Sequence, residues 1–142
     1  MKYKKCKVVF WIIVVIAVGI QFIPVNRTNP PVIGEIEAPE EIMAILHRSC
    51  FDCHSNETKW PWYSYVAPVS WLVESDVKVG RGNVNFSEWN EYSQKLQNLK
   101  RYKIGKEVDE GEMPLWYYVP LHSEAKLSQA DIDLIISWSN GE

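Results

Sequence analysis

The sequence predicts an all-α fold, in which a small helical domain follows an N-terminal transmembrane helix. An apolar run of about bilayer length stands near the start of the chain. Later apolar residues recur at the spacings of three and four that place them on one face of a helix. No stretch alternates between apolar and polar residues for long enough to predict a strand. The 142 residues leave room for a single domain after the apolar run.

Residues 1–25 have the composition of a membrane anchor. An almost uninterrupted apolar run extends from Val8 to Ile23, and a spanning helix needs roughly 17 to 25 residues. Four lysines and no acidic residue precede this run, namely Lys2, Lys4, Lys5 and Lys7. Because basic flanks stay in the cytoplasm, everything after the run is predicted to be exported.

A cleaved signal peptide is the alternative to an anchor, since it has the same basic start and apolar core. Ala17, Val18 and Gly19 would supply the small residues of a cleavage site. An anchor is favoured because the apolar run continues to Ile23, and both interpretations export the domain. A lipoprotein is disfavoured because Cys6 precedes the apolar run, where cleavage would not leave it at the new terminus.

The charge is distributed unevenly along the chain. The formal net charge is −3, from 15 basic and 18 acidic residues, and without the four leading lysines it is −7, from 11 against 18. An acidic exported surface favours partner proteins with basic patches and argues against nucleic acid. Ordinary solubility explains the same composition equally well.

The exported part divides into a tether and a domain. Residues 26–38 are rich in proline and show no helical period, so we expect an extended tether. The domain, residues 39–142, opens with a proline and two glutamates, which favour a helix N-terminus. The apolar face of this first helix comprises Ile42, Ile45 and Leu46.

Three further helices are predicted in the domain. The first would bury Val69, Leu72, Val73 and Val77 and end at Gly80 and Gly82. The second would begin at the cap Ser87 and carry Trp89, Tyr92, Leu96 and Leu99 on one face. The last would begin at a capping box from Ser128 to Asp131 and carry Ile132, Ile135 and Ile136 on one side. We expect this terminal helix, residues 128–140, to cross the first helix of the domain.

The motif Cys50-Phe51-Asp52-Cys53-His54 is a c-type haem attachment signature in an exported chain. Two thiols one short helical turn apart can reach the two vinyl groups of one porphyrin and form thioethers with it. The adjacent His54 then presents its imidazole to the iron. We therefore predict one covalent haem c bound through Cys50 and Cys53, with His54 as the proximal iron ligand.

Two other kinds of site use the same residue types. A thioredoxin-like redox pair would use the two cysteines alone, but it belongs in a strand-helix-strand context that this sequence lacks. A zinc site would combine the cysteines with His47, His54 or His122, although a second Cys-x-x-Cys or a close histidine pair is missing.

The sixth iron position decides what a haem does, and methionine opposite histidine suits electron transfer. Met113 is predicted as this distal ligand because it lies on a loop far along the chain, where Pro114 prevents helix continuation. Met43 lies instead on the helix before the motif. A core methionine is the alternative interpretation of Met113, and His122, in the loop from Leu115, is the alternative ligand.

Aromatic and basic residues supply further candidates for a haem site. Aromatic side chains suit the flat apolar face of a porphyrin or the core of a small domain, and the candidates here are Trp60, Trp62, Tyr63, Trp71 and Trp116. Arg81 and Arg101 are candidates for pairing with the haem propionates, since guanidinium groups bind carboxylates well.

Several segments resemble a known family when they are taken together. They are Cys50 to His54, Trp60-Pro61-Trp62-Tyr63-Ser64, Ala67-Pro68-Val69-Ser70-Trp71, Gly80-Arg81, Asn85-Phe86-Ser87, Met113-Pro114, Leu127-Ser128 and Trp138. This pattern, over about residues 36 to 140, resembles the haem-binding-domain family of bacterial exported monohaem proteins. The resemblance implies a cytochrome c-like helical domain in the envelope of Gram-negative bacteria. It also implies Cys50, Cys53 and His54 as attachment and proximal residues, and Met113 as the distal ligand.

These features predict a membrane-anchored periplasmic c-type cytochrome that transfers single electrons, an electron carrier rather than an enzyme. It would cross the bacterial cytoplasmic membrane once, with its haem domain on the periplasmic side and redox proteins as partners. A haem-based sensor or gas-binding module and a peroxidase-type accessory protein are the alternatives, and both need an open or labile sixth position. We also expect the apo protein to be largely unfolded, because the porphyrin would fill the core.

Overall fold

The computed structural model describes residues 2–141, and within them the chain is all-helical, as predicted. The α-helices of these residues are α1 (Lys2–Gly19), α2 (Glu40–Ser49), α3 (Phe51–His54), α4 (Val69–Asn83), α5 (Gln94–Asp109) and α6 (Gln129–Asn140). Short 3-10 turns lie at Ile20–Phe22, Trp62–Tyr65, Trp89–Glu91, Val119–Leu121 and Ser123–Ala125. The described residues contain an isolated β-bridge between Gly34 and Glu88 but no strand.

The chain forms two compact units, and one of the three divisions between them falls within α4. The first unit comprises the residues through Thr28 together with Trp60–Asp76. Its helix α1 and the turn that follows contain the segment Lys5–Phe22, which has a mean hydropathy of 2.0. By length and composition this helix can cross a membrane.

The second unit comprises Asn29–Lys59 and the residues from Val77 onward, and it contains an apolar core. Its buried side chains include Ile36, Ile42, Leu46, Phe51, Phe86, Trp89 and Trp138. A smaller buried cluster joins Ile45, Val108 and Ile135, from α2, α5 and α6. The helices α2, α5 and α6 therefore pack together around these apolar faces.

The terminal helix α6 packs on both α2 and α5. Its predicted capping box is present, since the Ser128 hydroxyl accepts from the Asp131 amide while the Asp131 carboxylate accepts from the Ser128 amide. The same carboxylate lies 2.6 Å from the guanidinium of Arg48 on α2. On α5, Gly105 is buried where a Cβ would collide with Ser139 of α6. This contact lets the two helix backbones approach closely.

The segment predicted as a tether, residues 26–38, contains no helix, but its second half is packed. The Ile33 and Gly34 amides donate to the Ser87 carbonyl, and the Ile36 amide donates to the Phe86 carbonyl at 2.8 Å. Ile36 is only 2% exposed. Ile36 therefore belongs to the second unit's core, and backbone hydrogen bonds tie the residues just before it to the same unit.

Two predicted helix details are wrong. Helix α5 begins at Gln94 with Ser93 as its cap, whereas the predicted cap Ser87 is fully buried and accepts a hydrogen bond from the Asn56 amide. Half of the predicted buried face of α4 is exposed, because Val69 is 42% and Leu72 48% accessible, whereas Val77 is buried as predicted, at 3%. The periodicity of α4 was correct for a helix but did not show which residues are covered.

Candidate functional site

The Cys-x-x-Cys-His motif forms one helical turn directly after α2. The amides of Cys53 and His54 donate to the Cys50 carbonyl at 3.2 and 3.0 Å. The buried stripe of α2 and the buried ring of Phe51 hold this turn against the core. The motif is thus a fixed part of the second unit, with its two cysteines one turn apart.

His54 is held by two backbone carbonyls. Its Nδ1 atom lies 3.0 Å from the Gly80 carbonyl oxygen and 3.2 Å from that of Val84. Because carbonyls only accept hydrogen bonds, this arrangement assigns the proton to Nδ1 and leaves the Nε2 lone pair available to a metal. Burial lowers the pKa of His54 and so favours the neutral imidazole.

Gly80 of α4 lies directly against the motif. A Cβ at this position would stand 2.5 Å from the Cys53 carbonyl oxygen and 3.1 Å from its carbonyl carbon. Only a residue without a side chain allows α4 to approach this closely. One turn of α4 therefore both contacts the motif backbone and accepts the hydrogen bond from His54.

The cysteines are not arranged for redox catalysis of the thioredoxin type. Burial, together with the neighbouring Cys53, raises the pKa of the Cys50 thiol to about 12. Reactive Cys-x-x-Cys pairs have a thiol with a lowered pKa. The environment of Cys50 therefore argues against the alternative of a dithiol oxidoreductase.

A cavity of about 220 Å³ lies beside the motif, within the second unit. It is lined by Ser49, Cys50, His54, Asn83, Val84, Phe86, Lys100, Lys103, Ile104, Glu107, Val108, Met113 and Pro114. The structure thus brings Cys50 and His54 together with Met113, which is distant in sequence. Cys53 is not among the lining residues.

Met113 reaches the cavity from the loop that follows α5. Gly111 has a left-handed φ of 72°, and the Glu112 and Met113 amides then donate to the Glu107 carbonyl. These bonds turn the chain back over the end of α5. Met113 also packs against the cluster of Ile45, Val108 and Ile135, so its side chain lies where the cavity and this cluster meet.

One face of α5 lines the cavity, and the sequence interpretation missed it. The residues are Lys100, Lys103, Ile104, Glu107 and Val108, which are spaced as one helical stripe. The predicted apolar face instead contained Leu96 and Leu99, which are 37% and 49% exposed. The spacing of three and four was visible in the sequence, but lysine and glutamate normally indicate a solvated face.

The aromatic residues predicted to line a haem crevice do not line this cavity. Trp62 and Trp116 are 77% and 81% exposed. The aromatic ring at the cavity is that of Phe86, which stacks on Phe51 with the ring centroids 5.2 Å apart. In the sequence, Phe86 was named only as part of the Asn85-Phe86-Ser87 segment of the family resemblance.

The two arginines that were predicted to pair with the haem propionates make other contacts. Arg81 donates to the Ser55 carbonyl at 2.8 Å and to the Thr58 hydroxyl at 2.9 Å, so it caps the end of the motif turn. Arg101 lies over the Trp138 ring, 5.3 Å from its centroid. Lys100 and Lys103 are the basic residues that line the cavity instead.

The structure gives less support to His122 as the alternative iron ligand and to a zinc site as the alternative to haem. His122 stacks on Tyr118 at 4.1 Å between ring centroids and does not line the cavity. His47 lies near Glu35 and against Phe51. Between residues 2 and 141, no group of three or more His, Cys, Asp or Glu side chains is gathered that could hold a metal ion.

Comparison with known proteins points to one family. A family model described as haem-binding domain matches residues 15–141. The matched range includes the motif, the cavity residues and the last part of α1. No curated protein and no solved structure matches the chain.

Proposed function

The chain belongs to the haem-binding-domain family, and from this premise we propose that it is a membrane-anchored periplasmic c-type cytochrome that carries single electrons. The observation that supports the proposal best is that Cys50, His54 and Met113 line one cavity. Thiols, an imidazole and a thioether are the groups that a covalent haem with a saturated iron requires.

The residues present fit a haem at this cavity. The tautomer assigned to His54 leaves Nε2 available as a ligand. Ser49 lines the cavity, and its buried hydroxyl has no hydrogen-bond partner among the residues described. The apolar residues Phe86, Ile104 and Val108 suit the porphyrin face, while Lys100 and Lys103 suit its carboxylates.

When bound, haem supplies an iron that takes up and releases one electron. Cys50 and Cys53 would attach the group, and His54 would ligate the iron through Nε2. The carbonyls of Gly80 and Val84 hold the His54 imidazole in one orientation. Met113 would supply the second protein ligand and so keep other ligands from the iron.

Membrane anchoring is supported by α1 and by the extent of the family match. The segment Lys5–Phe22 can cross a membrane by length and composition. The match begins at residue 15, inside this helix, so part of the apolar segment belongs to the family's own pattern. The lysines at its start favour a cytoplasmic N-terminus and a periplasmic domain.

The exported part carries a net charge of −7, which favours redox partners that present basic patches. Such complementarity accelerates encounter at low ionic strength. We therefore propose that the protein accepts and donates electrons at the outer face of the cytoplasmic membrane.

The ligation of iron by Met113 is tested by optical spectra of the full-length holoprotein and of Met113→Leu. Leucine keeps the side-chain volume but has no sulfur. We expect wild type to be low-spin in the ferric form and slow to bind carbon monoxide when reduced, and Met113→Leu to be high-spin and to bind it at once. Met43→Leu is the matched control and should behave as wild type. A high-spin wild type that binds carbon monoxide immediately would overturn the electron-carrier proposal in favour of a sensor or peroxidase role.

A further inference from the structure

The segment from Trp60 to Val73 is uncharged and aromatic. These 14 residues contain no Asp, Glu, Lys or Arg, although such residues make up 23% of the chain. Five of them are tryptophan or tyrosine. The charge-free stretch is bounded by Lys59 and Glu74.

Most of the large apolar side chains in this segment are exposed. The exposed fractions are 77% for Trp62, 60% for Tyr65, 44% for Val66, 42% for Val69, 36% for Trp71 and 48% for Leu72. Scattered exposed apolar residues are ordinary, but a run of this kind indicates a surface that something covers. The periodicity of Val69 and Leu72 predicted that they would be buried, but the residues that the structure describes leave both of them exposed.

The same segment is tied to the end of α1, within the first unit. The Gln21 side chain makes two hydrogen bonds to the Ala67 backbone, one to its carbonyl at 3.1 Å and one from its amide at 2.9 Å. Arg27 donates to the Ser64 carbonyl at 3.0 Å and lies over the Tyr65 ring. The uncharged segment is therefore held where the membrane-spanning helix ends.

We propose that the exposed apolar face of residues 62–72 inserts into the interfacial layer of the lipid bilayer beside the end of α1. The inference rests on the proposed membrane anchoring. A bilayer fits this face better than a soluble partner does, because tryptophan and tyrosine prefer the headgroup region and the segment has no charge to desolvate.

In this arrangement α1 and residues 62–72 form one membrane-bound element. The pair of hydrogen bonds between the Gln21 side chain and Ala67 satisfies backbone groups of Ala67 that would otherwise lose water at the bilayer surface. Arg27 and Glu74 supply polar groups at the edge of the element, where Glu74 accepts from the Asn26 amide at 3.0 Å.

The test measures where a nitroxide label at position 62 resides. Full-length holoprotein carrying Cys6→Ser and Trp62→Cys is labelled and reconstituted in vesicles of phosphatidylethanolamine and phosphatidylglycerol. We expect the label to be relaxed by oxygen more than by a water-soluble nickel complex. Tyr102→Cys is the matched reference, since Tyr102 is 56% exposed and lies between Arg101 and Lys103 on α5, and its label should respond mainly to nickel. A label at position 62 that is as accessible to nickel as the one at position 102 would overturn the proposal.

Labels at two further positions distinguish a failure of this inference from a failure of the proposed function. A label at Val15→Cys, within α1, reports whether the helix is in the membrane at all. If that label is in lipid while those at Trp62→Cys and Leu72→Cys are in water, only the interfacial inference fails. If position 15 is also in water, the anchor fails and the inference fails with it. The haem absorbance of each variant verifies that the domain has folded.

Discussion

The Nδ1 atom of His54 lies 3.0 Å from the carbonyl oxygen of Gly80, and the same glycine contacts the backbone of Cys53. One residue of α4 thus orients the proposed iron ligand and sets the distance of α4 from the motif. The orientation of His54 therefore depends on the close approach of α4 to the motif at Gly80, where there is no room for a side chain.

We predict that Gly80→Ala lowers haem content and stability. The new methyl group would stand 2.5 Å from the Cys53 carbonyl oxygen, so α4 must move away and the His54 hydrogen bond must lengthen. Overpacking of this kind costs about 1–3 kcal/mol. Haem absorbance per polypeptide and the free energy of unfolding in urea measure the two effects.

Gly82→Ala is the matched control for this prediction. It introduces the same substitution into the same helix, but its methyl group would meet nothing within 4 Å. Its haem content should equal that of wild type, and its stability should be equal or higher by up to about 1 kcal/mol. Equal haem content in the two variants would show that the close approach of Gly80 is unimportant.

We predict that Tyr118→Phe loosens the loop that carries Met113. The Tyr118 hydroxyl donates to the Asp52 carboxylate at 2.8 Å and so ties this loop to the haem motif. Losing a hydrogen bond to a charged carboxylate costs about 1.5–3 kcal/mol. The optical band of methionine-ligated ferric haem should therefore disappear at a lower temperature than in wild type. Tyr102→Phe, at a position that is 56% exposed, is the control; if both variants lose the band at the same temperature, Tyr118 has no positioning role.

We predict an acid-sensitive contact between α2 and α6. Hydrogen bonds from Arg48 and Ser128 lower the pKa of Asp131 to about 2. An unfolded aspartate has a pKa of about 3.9, so the stabilisation is complete above about pH 4 and is lost as the pH falls towards 2.

Asp131→Asn should remove this pH dependence and cost about 1 kcal/mol at neutral pH, through loss of the ion pair and part of the capping box. Urea unfolding of both holoproteins between pH 2 and 7 measures the difference. Asp133→Asn, on the same helix, makes the same charge change and should retain the wild-type slope. A wild-type slope in Asp131→Asn would contradict the role given to this carboxylate.

Local signals predicted much of the fold because they act within a few residues. The capping box at Ser128 satisfies backbone groups at the start of α6, and Pro39 with the two glutamates in the first turn marks the start of α2. The face of α4 was half wrong, because periodicity shows which side chains share a face and not what covers them. Ser87 was wrong as a cap because a buried hydroxyl and a capping hydroxyl look alike in sequence.

The candidate site was only partly predictable. The sequence named Cys50, His54 and Met113, and the fold brings these three to one cavity. Gly80 was named only as a helix end and as part of the family resemblance, and the lysines on α5 were not named at all, since a close backbone approach and a cavity-facing charge depend on tertiary position. The proposed membrane face was likewise hidden, because an apolar residue beside the bilayer and one in the core follow the same pattern.

The account depends most directly on covalent attachment of haem to Cys50 and Cys53. The decisive measurement is the intact mass of the full-length protein, expressed with a working cytochrome c maturation system and extracted with acidified acetone. We predict the mass of the polypeptide plus one haem, and the mass of the polypeptide alone for the double variant Cys50→Ala, Cys53→Ala. A wild-type protein with the mass of the bare polypeptide would contradict the account.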